Sequence, residues 1–416
     1  MSPPPTQLDT IIELTVREEW GRLLASLVAG FNDIQLAEDV LQDAVTDALT
    51  NWQQNGLPQS PAAWLLTTAR HKAIDRFRRN RRFAELQPDI SYLKELEQLD
   101  ADEPDAMQII PDKRLELMFT CCHPALDKKS QIALTLRTIA GLNTEEIAKA
   151  FIDKPGTLAK RLTRAKQKIA LAGIPYGVPG TAALEERISE VLAVIYLIYN
   201  EGYSAATSNN LIRQDLSEEA IRLARIAFQL LPKHCETGGL LALMLLHDSR
   251  RPARQSATGK FVSLEDQDRT QWNKSRAKEG RNLIKSLLPR GQVGPYQLQA
   301  SVSALHTEAT TWQETDWPQV AALYRLLHQI NPTPVVHLNL AVAVSHAESP
   351  DAALRMLNEI GQHAEMHAYQ SYHVACADIF LRAEKTAEAQ QALVKAIELT
   401  KNETERTYLE SKRILN

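Results

Sequence analysis

Two groups of cationic side chains follow apolar helical stripes in this sequence, and their chemistry suits contacts with nucleic-acid phosphates. Between Arg70 and Arg82 there are seven basic residues and one acid, and between Lys128 and Lys168 there are ten bases and three acids. Guanidinium groups bind phosphate oxygens with a fork geometry that suits the anion. One such charge run is usually a solvated helix face, but two runs that each end a helical segment favour DNA contact.

The first basic helix is expected to begin at Pro61, with Ser60 as its N-cap. Trp64 stands close to the start of this helix, so that it could stack on an unpaired base beside the guanidinium groups. Core packing is the alternative for a tryptophan at this place. The basic side of the helix carries Arg70, Lys72, Arg76, Arg78, Arg79, Arg81 and Arg82.

The second basic segment has the pattern of a helix-turn-helix unit. A short helix capped by Asn143 and Glu146 is followed by a turn at residues 153–156 and by a helix that opens at Thr157. Lys160 and Arg164 lie near the start of this second helix, where side chains reach base edges or phosphates. Many helical hairpins share this pattern, so an ordinary hairpin is the alternative.

Acidic residues are concentrated between and before the two basic segments. Residues 83–116 contain ten acids and three bases, and residues 83–111 have the composition of a linker. In residues 36–49, apolar side chains form one helical stripe, while Glu38, Asp39, Gln42, Asp43 and Asp47 are expected on the opposite face. That face suits a basic partner helix, although an ordinary amphipathic surface helix is the alternative.

Composition, charge and cysteine content exclude several classes of protein. The chain has 416 residues with a net charge of −4, which argues against a uniformly basic DNA binder. Periodicity is helical almost throughout, so we predict an all-α protein. The four cysteines do not make a disulfide framework, and no signal peptide or membrane span is visible, which favours a cytoplasmic protein. Cys121-Cys122-His123 lacks a second ligand pair, so buried packing is favoured over a metal site.

Three motifs together resemble bacterial sigma factors of the extracytoplasmic-function type. Leu36–Ala44 is similar to the core-polymerase-binding region, Pro61–Arg79 to the region that reads the −10 promoter element, and Gly156–Lys166 to region 4. The match covers roughly residues 8–172, and both the order and the spacing of the motifs fit. Ala159 departs from the polar residue that is common at its groove-facing position.

The resemblance implies partners and site residues. The partners are promoter DNA and core RNA polymerase, with its β′ clamp helices and β flap, and the chain would be neither an enzyme nor a holder of a cofactor or metal. Contacts with the clamp helices would come from Asp39, Gln42 and Asp43. Those with the −10 element would come from Asn55, Trp64, Arg70, His71, Lys72, Arg76, Arg78 and Arg79. Those with the −35 element would come from Thr157, Lys160, Arg161, Thr163, Arg164 and Lys168.

The remainder of the chain resembles the extension of a long-tailed subgroup of these factors, which ends in tetratricopeptide-like repeats. The resemblance rests on Asn200–Tyr203, Glu265–Arg269, Gly294–Gln299, Thr315–Trp317 and Pro334–Asn339. Independently, a shift of 36 residues superposes Ala341 on Ala377, Ala353 on Ala389 and Leu357 on Leu393. Such repeats stack into solenoids that bind peptides or domains. The extension is therefore expected to contact the chain's own sigma domains or polymerase.

The carboxylates Glu265, Asp266 and Asp268 could hold a metal or a basic partner, although helix capping and pairing with Arg269 are the usual roles.

The expected domains are region 2 (8–82), an acidic linker (83–111), region 4 (112–172), a helical extension (183–290) and repeats (295–416). Three alternatives remain: a stand-alone helix-turn-helix regulator, a repeat-based interaction adaptor, and a C-terminal enzyme with a degenerate sigma half.

Overall fold

The structure, a computed structural model, describes residues 5–80, 94, 112–150, 154–204, 211–256, 260–400 and 403–415. Regular secondary structure in these residues is helical, and the only extended pairing among them is an isolated bridge between Gln255 and Phe261. The all-α prediction is therefore confirmed. None of the helices in the described ranges has the length and apolar character needed to cross a membrane.

The chain divides into two compact units, Met1–Ile198 and Tyr199–Asn416. The first unit begins with three long helices, α1 (Pro5–Phe31), α2 (Ile34–Asn55) and α3 (Pro61–Asn80). Asp33 caps α2 by accepting a hydrogen bond from the amide of Leu36, at 3.0 Å. Gly56 ends α2 with a φ of 85°, a conformation that glycine adopts without a steric penalty. As expected from the sequence, α3 begins at Pro61.

The rest of the first unit contains α4 (Arg114–Cys121), α5 (Lys128–Thr138), α6 (Thr144–Ala150), α7 (Pro155–Leu171) and α8 (Thr181–Ser204), the last of which continues into the second unit. The α1 helix packs closely on the segment after α5. A Cβ at Gly21 would lie 2.4 Å from the carbonyl oxygen of Ile139, so only glycine allows this approach. The α1–α3 module (residues 5–80) and the second module, α5–α7 (residues 128–171), therefore lie in one compact unit. The predicted linker, residues 83–111, lies outside the described residues apart from Lys94.

The second unit is a series of helices that form pairs toward the C-terminus. They are α9 (Leu211–Leu230), α10 (Cys235–Ser249), α11 (Lys274–Leu287), α12 (Pro295–Glu308), α13 (Trp317–Ile330), α14 (Pro334–Ala347), α15 (Pro350–Ile360), α16 (Gln370–Arg382), α17 (Thr386–Leu399) and α18 (Glu403–Leu415). Side-chain caps at Asp316, Thr333 and Ser349, each followed by a helix with proline in its first turn, explain several of the helix starts.

The 36-residue shift seen in the sequence also relates the helices. It carries the start of α14 onto that of α16, and the start of α15 onto that of α17. The superposed pairs Ala341/Ala377, Ala353/Ala389 and Leu357/Leu393 are all buried. Small residues at these positions let the paired helices approach closely, which gives the repetition a packing reason.

Candidate functional site

The acidic face of α2 lies against the basic face of α3. Arg76 Nη2 is 2.5 Å from Asp43 Oδ2, and Arg76 Nη1 is 3.8 Å from Asp39 Oδ2. One turn further along α2, Lys72 Nζ is 2.6 Å from Asp47 Oδ2. Asp39 and Asp43, two of the three residues predicted to bind polymerase, are thus paired with Arg76, which is predicted to bind DNA. These pairs are partly exposed, so each contributes about 1 kcal/mol or less to stability.

The other residues of the predicted −10 surface differ in exposure. Asn55 and His71 are exposed. Trp64 is half-buried, and its ring makes an edge contact with Trp52 at 5.4 Å between centroids. Trp64 therefore packs against the core with one part of its ring and is exposed to solvent with another. It is neither a fully buried core residue nor a fully exposed stacking platform. The side chains of Arg78 and Arg79 are outside the described part of the structure.

Arg70 lies inside the fold. Its side chain is 4% exposed, and its Nη2 is 2.8 Å from His71 Nε2. A side chain in this position cannot touch DNA unless the surrounding helices move. Its predicted role at the −10 element stays a prediction. Among the α3 side chains that the structure describes, Lys72 and Arg76 are partly exposed cations, and both contact α2 carboxylates.

The second module contains the capping box that the sequence predicts. The amide of Glu146 donates to Asn143 Oδ1 at 2.9 Å, and the amide of Asn143 donates to Glu146 Oε2 at 2.7 Å. The expected start of the next helix is wrong by two residues: α7 begins at Pro155 rather than Thr157. Proline suits the first helical position because it needs no amide donor there, so Pro155 and Gly156 form the first turn.

One face of α7 is apolar and the other is cationic. Leu158, Leu162, Ala165 and Ile169 are buried, as the sequence predicts. Lys160, Arg161 and Arg164 line a surface cavity of about 380 Å³ together with Thr157, Asp127 and Ser130. The Ser130 hydroxyl donates to Asp127 and lowers the pKa of that carboxyl, and nearby Arg161 acts in the same direction. Three cations against one carboxylate leave the cavity suited to an anion such as phosphate.

Two further residues of the predicted −35 set make backbone contacts. Thr163 Oγ1 donates to the carbonyl of Ala159 at 3.0 Å, and Lys168 Nζ donates to the carbonyl of Ala125. Both residues are exposed, so these contacts leave their side chains accessible to a ligand on this surface. The structure therefore gathers Thr157, Lys160, Arg161 and Arg164 around one cavity, whereas Thr163 and Lys168 are exposed but do not line it.

Glu38 does not lie on the exposed acidic face of α2, where the charge pattern predicts it to lie. It is 3% exposed and sits between the two modules, where Lys166 Nζ contacts its Oε2 and Arg137 Nε lies 3.2 Å from its Oε1. Arg137 and Lys166 belong to the second module. The sequence signal was present, because Glu38 is four residues after Ile34 and three before Leu41, on the apolar stripe. Glu38 therefore joins the modules instead of facing a partner.

Comparison with known proteins shows the family. Residues 17–83, which cover most of α1 and all of α2 and α3, match sigma-70 region 2. A second stretch, residues 187–288, matches a family of unknown function (DUF6596). An uncharacterized protein of Rhizobium meliloti (strain 1021) is 39% identical over 400 residues, which cover 96% of this chain and 94% of that protein. The chain belongs to the same family as the Rhizobium protein over nearly its full length. Its similarity to sigma-70 factors is shown for region 2, residues 17–83. No solved structure matches it.

The region 2 match supports a sigma-factor-like role in transcription initiation, with core RNA polymerase and promoter DNA as the partners in general.

The four cysteines, Cys121, Cys122, Cys235 and Cys376, are free and buried. Cys121 and Cys122 are buried, and burial raises the pKa of Cys122 to about 12, so that its thiol is neutral. Among the described residues, no group of three or more His, Cys, Asp or Glu could hold a metal ion.

Two carboxylates of the Glu265–Arg269 motif, Asp266 and Asp268, have partners in the structure. Asp268 caps a short helix by accepting from the amide of Thr270 at 2.9 Å. Asp266 accepts from Tyr408 Oη at 3.2 Å and lies 3.7 Å from Lys412 Nζ. Arg269 donates to the carbonyl oxygens of His306 and Ala309. Helix capping is confirmed for Asp268, whereas Arg269 pairs with backbone carbonyls instead of the carboxylates.

Proposed function

We propose that this chain is a sigma factor of the extracytoplasmic-function type, which binds core RNA polymerase, directs it to specific promoters and is not itself an enzyme. The observation that carries the proposal is the region 2 match over α1–α3. It is supported by a second cationic helical module, α5–α7, at the place in the chain where such factors carry region 4. Binding to polymerase would place the protein in the cytoplasm.

In this proposal the α1–α3 module contacts polymerase and the −10 element, and the second module contacts the −35 element. Asp39, Gln42 and Asp43 bind the basic β′ clamp helices, and the surface of α3 with Trp64 reads the −10 element. The cationic face of α7 enters the major groove of the −35 element, where Lys160 and Arg164 contact bases or phosphates, while this module also approaches the β flap. Base flipping costs a few kcal/mol, which stacking on Trp64 and phosphate contacts offset.

The α2–α3 ion pairs and the Glu38 contacts of the free chain must change when the chain binds polymerase and promoter DNA. Because the α2–α3 pairs are partly exposed, Asp39 and Asp43 can exchange Arg76 for a polymerase cation at small cost. The Glu38 contacts hold the two modules together in the free chain. Two promoter elements lie apart along the DNA, so we infer that the modules separate when polymerase binds and that Glu38 contributes to keeping the free chain inactive.

A stand-alone DNA-binding regulator is the second candidate, since the cationic α7 face alone could bind DNA. A regulator of that kind should protect duplex DNA from nuclease without polymerase. The sigma-factor proposal predicts little protection by the chain alone and clear protection once core polymerase is added. Replacing Lys160 and Arg164 by alanine should remove the protection at the −35 element, because two phosphate or base contacts are lost. Equal protection with and without polymerase would favour the regulator.

The C-terminal extension is proposed to regulate initiation through tetratricopeptide-like helical pairs, of which α14–α15 and α16–α17 are the best candidates. Removing residues 183–416 should change promoter-dependent transcription in a reconstituted assay. This deletion also removes Arg187, which donates to the carbonyl of Phe119 in the first unit. A second deletion that retains Arg187 and removes residues 199–416 is therefore the matched control. Unchanged activity in both deletions would refute the regulatory role while leaving the sigma assignment intact.

A further inference from the structure

The second unit contains a cavity that none of the proposed contacts uses. Its volume is about 480 Å³, within the range of small-molecule sites. Helices α14, α16, α17 and α18 supply most of the wall. The rest comes from Phe261, Ser263, Leu264 and Glu265, in the loop before α11, and from Trp312, between α12 and α13. The wall is mainly apolar and includes the aromatic rings of Phe261, Trp312 and Tyr408. A ligand with a flat apolar body therefore fits the lining.

The loop wall is held in place by contacts to α18. Phe261 makes an edge contact with Tyr408, at 5.3 Å between ring centroids. Asp266 accepts hydrogen bonds from Ser263 Oγ at 2.7 Å and Tyr408 Oη at 3.2 Å. At the base of the loop, the amide of Val262 donates to the carbonyl of Arg254 at 2.9 Å. A cavity fixed in this way needs little ordering when a ligand binds, which favours affinity.

The charged groups on the wall favour a cation. Glu265, Asp378 and Glu405 line the cavity, whereas Lys412 is the only lysine or arginine among the described residues that does. Arg382, which pairs with Asp378 at 3.0 Å, is not part of the wall. His346 also lines the cavity, but burial lowers its pKa to about 4, so that it is neutral at pH 7. The lining itself carries three carboxylates and one ammonium group and is net negative, while Arg254 from outside the wall also acts on Glu405. Lys412 already lies 5.6 Å from the Tyr408 ring, so the faces of Phe261 and Trp312 are the ones that add cation–π attraction for a ligand.

We propose that this cavity binds a small organic cation, an aromatic or aliphatic body that carries an ammonium group. The apolar body packs among the side chains of α14, α16 and α17, and the ammonium group lies near Glu265 and Glu405. This site goes beyond the proposed function, since binding depends on the second unit and not on polymerase or DNA. Loss of ligand binding and loss of sigma activity are thus separate outcomes.

The test uses the full chain and three probes with one shared body: 3-phenylpropylammonium, 3-phenylpropanol and 3-phenylpropionate. Isothermal titration calorimetry should show saturable binding of the ammonium probe, about tenfold tighter than the alcohol, with the carboxylate weakest. Replacing Glu265 and Glu405 by glutamine should weaken the ammonium probe about tenfold and leave the alcohol unchanged. Glu410→Gln, at an exposed position of α18 outside the cavity, is the matched control and should change nothing.

A second variant tests the location. Ser371 lines the cavity and is exposed, so Ser371→Trp should fill the space without disturbing the core and should abolish binding of all three probes. Its circular dichroism and melting temperature should match those of the parent chain. The proposal is overturned if the ammonium probe shows no saturable binding, if the carboxylate binds as well as the ammonium, or if Ser371→Trp binds normally while folded.

Discussion

Replacing both Asp39 and Asp43 by lysine is expected to abolish co-purification of the chain with core RNA polymerase. In the proposed complex these carboxylates face basic clamp helices, and reversing two close charges turns attraction into repulsion. Single close charge pairs across interfaces contribute about 1.5–7 kcal/mol, so the loss should exceed about 100-fold in affinity. The measurement is pull-down of core enzyme by the tagged full chain, followed by a titration of affinity.

Asp47→Lys is the matched control for this experiment. Asp47 lies on the same face of α2 and pairs with Lys72 at 2.6 Å, as Asp43 pairs with Arg76 at 2.5 Å, but it is not among the predicted polymerase contacts. This variant should retain binding. If the double variant bound core enzyme as tightly as the parent chain, the assignment of α2 as the polymerase contact would be wrong.

Glu38→Ala should destabilise the first unit by about 3–5 kcal/mol, the usual cost of removing one member of a buried ion pair. Arg137 and Lys166 are 14% and 12% exposed, so that the variant would leave two cations with little solvent and no carboxylate between them. Hydrogen exchange in the full chain, followed by mass spectrometry, should show faster exchange in α2, α5 and α7. The second unit should be unaffected.

Gln42→Ala controls for substitution on α2 itself, because Gln42 is exposed and its replacement should change stability by less than about 0.5 kcal/mol. If Glu38→Ala left the exchange of α2, α5 and α7 at the parent level, Glu38 would not hold the modules together. Under our proposal a folded but opened chain should also bind promoter DNA more readily than the parent in the absence of polymerase.

Local features of the sequence predicted local features of the fold. The Asn143–Glu146 capping box and the start of α3 at Pro61 are visible because both residues of each signal lie within one helical turn. The 36-residue repetition is visible because the same small and apolar side chains return at buried positions. These signals need no knowledge of distant contacts, and neither does the helical periodicity from which the all-α fold is predicted.

Contacts between distant segments could not be predicted in the same way. Glu38 meets Lys166 across 128 residues, and no pattern near Glu38 identifies that partner. The burial of Arg70 and the pairing of Arg76 with Asp43 depend on how α2 packs against α3, which periodicity alone does not give. The sequence therefore predicts which residues form the acidic face of α2 and the basic face of α3. It does not predict that these two faces form ion pairs with each other. The start of α7 was misplaced because Gly156 was interpreted as part of a turn.

The most direct test of the sigma-factor assignment is run-off transcription with purified core RNA polymerase on a promoter library, with and without the full chain. We predict that the chain directs transcripts from a distinct subset of promoters, and that these transcripts are lost with the Asp39 and Asp43 double variant. If core polymerase gave the same transcripts whether or not the chain was present, on a library that a known sigma factor can read, the assignment would be contradicted.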